Sequence, residues 1–479
     1  MKNIFLVNIH MKISLMLLLG LASCKLPSLK QTKSTQIIPE QYTSVSDSAN
    51  SANVSRNLFY TSALLNNLID TVLANNYDHR ISVQRIEAVR SNVRQARGML
   101  MPQVNATGAP SLRKFGLYTM DGAGNIVTEI ERSKMVPIDL PDFYLGIQSS
   151  WEIDVWGKLK QRKKAAFSRV LASEEGRKLI QTALVAETAS AYYALMAEDQ
   201  MLKLLDETII LQQQAINTVK IQKETAVVNE LAVQQFEAQL LSMKALRVEA
   251  LQKINELENK INLLAGRFSQ YINRDSLFFE NDRLPVIKAG LPSHLLLNRP
   301  DIRQTEWELQ GAKADLQSAR AAFMPALILN GGLGVQAYRT GLLFTSPESV
   351  AYSIIVGITG PIINRNAIQA EYMRSNAIQK QTLLEYEKTI NTAVQEVNQE
   401  IKNLSLLEEK YTLKEREKAV LSSSVGVSSE LFRTGRANYL EVLITRQNAL
   451  RSNIELIDTR MKQYLSAIQL YRALGGGWR

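Results

Sequence analysis

Apolar residues along this chain keep two rhythms. In the first they return at alternating steps of three and four. Val233, Phe236, Leu240 and Met243 do so, then Ala250, Ile254, Leu257, Ile261 and Leu264, with Arg247 the break between them. Leu443, Leu450, Ile454, Ile457, Met461, Tyr464, Ile468 and Tyr471 keep the same step past Gln447, as do Ile390, Val394, Val397, Ile401 and Leu404. This spacing returns an apolar residue to one helix face and predicts coiled-coil seams. Leu231, Leu241 and Val248 lie off the first seam, as on a helix with neighbours on two sides. All twelve prolines fall outside the tracts 142–284 and 362–479. Proline costs about 3 kcal/mol in a helix interior, so these tracts can hold very long helices, one of them from about Leu159 to Val219.

The second rhythm has period two and predicts strands. Phe143, Leu145, Ile147, Ser149 and Trp151 face one way, and Tyr144, Gly146, Gln148, Ser150 and Glu152 the other. Val350, Tyr352, Ile354, Val356 and Ile358 alternate in the same way with Ala351, Ser353, Ile355, Gly357 and Thr359. "PQVNATGAP" and "PALILNGGLGVQAY" supply a second strand to each. The connecting loops are 116–141, which is long and polar, and 339–348.

The pattern is written twice. "ARGMLMPQVNAT" begins at Ala96 and "ARAAFMPALILN" at Ala319, 223 positions later, and the same offset carries Asp78 and Arg80 onto Asp301 and Arg303. An offset of 209 carries Asn229, Leu231, Val233, Leu241 and Gly266 onto Asn438, Leu440, Val442, Leu450 and Gly475. Each half therefore reads helix, two strands, long helix, turn, long helix, the plan of one quasi-symmetric object. Pro102 and Pro325 should end a helix and open a strand, because proline lacks the N–H that a helix needs. Four strands cannot close a barrel, and a sheet in lipid tolerates no open edge. Two or three chains could close one of eight or twelve strands.

Chemistry adds little. The net charge is +10, but Lys and Arg are interleaved with Glu and Asp, so solvated helix faces are a better reading than a nucleic-acid patch. His10, His79 and His294 are far apart and the only cysteine is Cys24, so no disulfide or familiar metal spacing exists. No phosphate-cradling loop or nucleophile elbow is present. The inventory predicts neither enzyme nor cofactor. The N-terminus is more telling. Lys2, or Lys12 with initiation at Met11, precedes "ISLMLLLGLA", a run too short to span a bilayer. It ends in Leu21-Ala22-Ser23-Cys24, a lipobox that makes Cys24 the lipidated residue. The expected organisation is a signal peptide at 1–23, a lipidated tether at 24–51 and two repeats, 52–284 and 285–479.

Four stretches resemble the TolC-like outer-membrane efflux proteins, in their NodT-type lipoprotein branch. They are "LPSHLLLNRPDIRQTEWEL" from Leu291, "WEIDVWGKLK" from Trp151, "FRTGRANYLEVLITRQNAL" from Phe432 and "LYRALGGGW" from Leu470. The resemblance spans roughly Leu58 to Trp478. It implies a mainly α fold with a small β part, in which three protomers share a twelve-stranded transmembrane β-barrel and a long periplasmic α-barrel. It implies a passive exit duct for small molecules, lipid-anchored in the outer membrane and served by a periplasmic adaptor and an inner-membrane pump. By the same resemblance Thr434, Gly435 and Arg436 form an adaptor-contact tip, with Glu224, Thr225 and Ala226 its first-half equivalent. Glu441 falls where relatives line the periplasmic gate, and Ile444 stands where a second acidic ring would be.

Two other readings compete. A lipid-anchored coiled-coil spacer without a pore accounts for the helices and Cys24 but not for the strand pairs. A channel of the same fold could export metal ions or proteins.

Overall fold

A computed structural model describes residues 39–42, 51, 54–275, 287–360 and 366–478. Cys24 and the preceding run lie outside the described residues. The chain divides into two compact units. One holds Glu87–Val170 and Trp307–Leu383, the other Ser34–Ile86, Leu171–Glu306 and Leu384–Arg479.

In chain order the helices are α1 (Arg56–Phe59), α2 (Ala63–Asn75), α3 (Tyr77–Gly98), α4 (Met120–Val127), α5 (Lys158–Glu224), α6 (Glu230–Leu264), α7 (Leu295–Asn298), α8 (Pro300–Ala321), α9 (Asn366–Arg433) and α10 (Tyr439–Ala473). The strands are β1 (Gln103–Lys114), β2 (Glu129–Glu131), β3 (Lys134–Met135), β4 (Asp139–Ile153), β5 (Ala326–Ala337) and β6 (Val350–Thr359). The proline-free tracts do hold unbroken helices: α5 has 67 residues and α9 has 68.

The first unit is built on one antiparallel sheet in the order β1-β4-β5-β6. Each half contributes a hairpin, and β4 joins β5 from Phe143–Ala337 to Ile153–Leu327. The long polar loop expected at 116–141 carries structure of its own. It forms α4, capped by the Thr119 hydroxyl accepting from the Gly122 amide (3.1 Å), and a β2–β3 hairpin. Elements this short show no apolar period, so patterning misses them.

The second unit is helical, and the sequence seams are its core. Val233, Phe236, Leu240 and Met243 on α6 and Leu450, Tyr464, Ile468 and Tyr471 on α10 are all buried. Aromatic rings stack inside it, Phe59 on Tyr471 at 4.0 Å and Tyr193 on Tyr464 at 4.4 Å. Arg247, the break in the α6 seam, pairs with Asp206 on α5 at 2.6 Å. Part of the expected tether docks here. Tyr42 is buried among Leu295, Ile302 and Ile390, and Ser51 exchanges hydrogen bonds with the Lys288 backbone.

Candidate functional site

The chain's two halves meet bond for bond at their joints. With the 223-residue offset, α3 maps onto α8 and β1 onto β5, end to end. Between them the Leu100 and Met101 amides donate to Arg97 and Gly98 carbonyls, as the Phe323 and Met324 amides donate to those of Arg320 and Ala321. Pro102 and Pro325 follow, each ending the turn and opening a strand as expected. Two indoles lock this region. Trp151 Nε1 donates to the Leu100 carbonyl (3.0 Å) and Trp156 Nε1 to that of Pro325 (2.8 Å). Asp154 accepts from the Leu159 and Lys160 amides and so caps α5, because the first amides of a helix have no partner within it.

The hairpin tips repeat with the 209-residue offset. The Thr225, Ala226 and Val227 amides donate to Ile221, Lys223 and Gln222 carbonyls. The Thr434, Gly435 and Arg436 amides do the same to Glu430, Phe432 and Leu431. The reversal needs a left-handed residue, with φ +58° at Ala226 and +72° at Gly435. Glu224 is the last residue of α5. Asn229 and Asn438 then cap α6 and α10 through their side-chain oxygens. Glu441 lies exposed in the first turn of α10. Its amide donates to Asn438 Oδ1 (3.0 Å), which is the cap, and its carboxylate accepts from the Asn438 side-chain amide at 3.5 Å. Ile444 is exposed one turn on. Tyr439 and Leu443 pack from the same turn onto Val233, Phe236 and their neighbours, which brings the start of α10 against the first hairpin.

A third joint was not readable in the sequence. At the base of each hairpin one side chain holds the carbonyl that ends the long helix. In the first half Asn76 Nδ2 donates to the Leu264 carbonyl (2.9 Å). In the second, Arg299 Nη1 donates to that of Ala473 (2.9 Å) and to Glu396 (2.8 Å), while its other nitrogens grip Asp301 at 3.0 and 2.6 Å. Burial opposes the Arg299 charge, but Asp301 and Glu396 more than offset it and raise its pKa. Gly266 and Gly475, at φ +64° and +93°, press on the Asn75 and Asn298 carbonyls, where a Cβ would come within 2.7 and 2.6 Å. The Arg-Pro-Asp-Ile-Arg motif is thus a structural clamp.

The sheet has one apolar and one polar face. Leu145, Ile147, Leu333, Tyr352, Ile354, Val356 and Ile358 are all exposed on the first. Asn105, Gln148, Asn330, Gly332, Gln336 and Ser353 line a concavity of about 610 Å³ on the second. Among the described residues β1 and β6 pair on one side only. No described helix is long and apolar enough to cross a membrane. Strands of 10 to 15 residues have the length that a tilted transmembrane strand needs.

Known proteins share this plan. The family model for outer membrane efflux proteins matches residues 68–267 and 291–476, one span for each half. The chain is 29% identical over 421 residues to the probable efflux pump outer membrane protein TtgC of Pseudomonas putida, covering 88% of this chain and 84% of that protein. It is 28% identical over 450 residues to the cation efflux system protein CusC of Escherichia coli K12 (92% and 93% covered). It is 26% identical over 421 residues to the probable outer membrane lipoprotein SilC of Salmonella typhimurium (88% and 87%). A solved CusC structure superposes with a TM-score of 0.79 at 25% identity, covering 95% of this chain and all of that one. The open MtrE channel of Neisseria gonorrhoeae reaches 0.81 at 23% identity, covering 95% and 98%. With the family model matching both halves of its duplicated architecture, the chain belongs to the outer membrane efflux protein family.

Proposed function

We propose that three copies of this chain close a single twelve-stranded pore in the outer membrane and extend it as a helical duct, through which small molecules leave passively. The observation that carries this reading is the sheet. Among the described residues nothing covers its apolar face, and β1 and β6 leave an edge free at each side. The β4–β5 seam already joins a second-half strand to a first-half strand, so β6 of one copy meeting β1 of the next would repeat that geometry around a closed ring. Closure removes the edges, which lipid cannot satisfy. The helices point the same way: Leu406, Leu413, Val420 and Val427 recur every seven residues on α9 and all are exposed in the single chain, a seam awaiting a neighbour.

In this reading the two tips, at Glu224-Thr225-Ala226 and Thr434-Gly435-Arg436, receive a periplasmic adaptor that delivers cargo from an inner-membrane pump. Glu441 and Ile444 line the periplasmic aperture, and Cys24 carries lipid. The repeats divide near residue 285, after a tether at 24–51. Transport through such a duct needs no bond made or broken in this subunit.

The test is reconstitution. Purified protein should run as a heat-dissociable trimer by native mass spectrometry and produce discrete conductance steps in planar bilayers. A stable monomer, or a trimer without conductance, would leave the spacer reading in its place.

A further inference from the structure

The polar face of the sheet contains a feature that a smooth conduit does not need. Among the described residues Tyr144 is the only aromatic side chain on the polar face of β1, β4, β5 and β6, since Phe143, Trp151 and Tyr352 take the apolar face by alternation. Its phenol lies along the sheet on a bed of three glycines. A Cβ on Gly146 would sit 2.7 Å from Tyr144 Oη, one on Gly334 3.0 Å from Cζ, and one on Gly332 3.7 Å from Oη. Gly146 and Gly334 face each other across the β4–β5 seam, so the bed is built jointly by the two halves. The ring's outer π face is left toward the 610 Å³ concavity. One pleat along β4, Asp142 reaches the same face about 7 Å away. Its carboxylate accepts 2.9 Å hydrogen bonds from Gln336 Nε2, and no described cation pairs with it.

A π face and an uncompensated carboxylate at that separation suit one kind of solute. The ring quadrupole and the carboxylate both attract positive charge, the flat phenol offers stacking area, and the concavity is of the size that holds a drug-sized molecule. We propose that Tyr144 and Asp142 form a transient binding site for planar aromatic cations on the wall of the pore. This rests on the pore reading above and adds to it a cargo class and the residues that hold it.

The experiment is single-channel recording on full-length trimers in planar bilayers with ethidium as the probe. Ethidium should interrupt the wild-type current. Tyr144→Ala and Asp142→Asn should each shorten the interruptions roughly two- to fivefold, while Tyr144→Phe, which keeps the π face, should retain them. Tetraethylammonium, cationic but not aromatic, should interrupt far less. Unchanged dwell times in both variants, no ethidium interruptions in a conducting wild type, or equal interruptions by tetraethylammonium would each overturn the proposal. A wild-type trimer without conductance would instead sink the pore reading, and this site with it.

Discussion

Replacing Arg299 with methionine tests the duplicated clamp. Methionine keeps roughly the length and removes the charge and every donor. The Arg299 side chain is 9% exposed, and it holds Asp301, Glu396 and the Ala473 carbonyl together. Glu396 is 37% exposed, so water would solvate it and its loss counts for little. Asp301 keeps the Ile302 amide as a partner (2.9 Å) but loses its cation, and the Ala473 carbonyl loses this donor. Removing one partner of a buried pair costs about 3–5 kcal/mol, and the lower end applies because Asp301 is 21% exposed. In the first half, Asn76→Ala removes two neutral hydrogen bonds, the one to the Leu264 carbonyl and the one its Oδ1 accepts from the His79 amide at the start of α3, worth about 2 kcal/mol together. Thermal melting of the helical circular dichroism signal in detergent should therefore rank the variants, with Arg299→Met lowered about one and a half times as far as Asn76→Ala. Arg299→Lys should fall between, since a lysine keeps the charge but cannot fork onto a carboxylate. Equal melting shifts for the methionine and alanine variants would show that the Arg299 ion pairs add nothing to the clamp.

Ala226→Gly should raise the melting temperature and Gly435→Ala lower it, each through about 1 kcal/mol, because a left-handed residue with a Cβ is strained; shifts of opposite sign would refute the tip geometry. Burial holds the Glu198 carboxyl above its ordinary 4.5, against the pull of Lys253, so its contribution to stability falls as pH rises through the elevated value. Glu198→Gln should then melt higher than wild type at pH 7 and lose that advantage toward pH 4, and a constant difference in pH-dependent melting would contradict this. Cys24→Ser should abolish incorporation of labelled fatty acid, and undiminished labelling would remove the lipid assignment. In planar bilayers Glu441→Gln should weaken cation selectivity and Ile444→Ala raise resting conductance; an unchanged reversal potential would move the acidic ring elsewhere.

What the sequence disclosed was whatever repeats at short range. The α6 and α10 seams, the strand alternation and the two prolines each depend on residues within a turn or two of one another. Both offsets were legible because insertions had not broken the register of either joint. The clamp was not, since Asn76 finds its acceptor 188 residues away and Arg299 finds one 174 away. Position 226 was hidden for another reason: alanine, unlike glycine, does not advertise a positive φ. Tyr144 was placed on the correct face by alternation, but three separate glycines gave no sign that they meet beneath one ring. Glu441 acquired a second role, because its cap with Asn438 is a local duty that any function at an aperture would have to share.

The two halves differ mainly in side chains and agree in backbone. At the tips the hydrogen bonds coincide while alanine stands in for glycine. At the helix–strand joints Leu100-Met101 and Phe323-Met324 turn alike. At the bases an amide in one half does what a guanidinium does in the other. Agreement of this kind is what a wall requires. Strands of a closed barrel must share tilt and stagger, since each fixes its neighbour's register, and helices continuing from them inherit the angle at which strand becomes helix. A duplicated protomer satisfies that requirement if its joints bend equally, whatever chemistry holds them. Where the chemistry does differ, the carbonyl that ends α10 is held by a buried charge and the one that ends α6 by a neutral amide. The first hairpin has a buried guanidinium too, but at another place: Arg274, past the end of α6, joins Asp199 on α5 to Glu258 on α6.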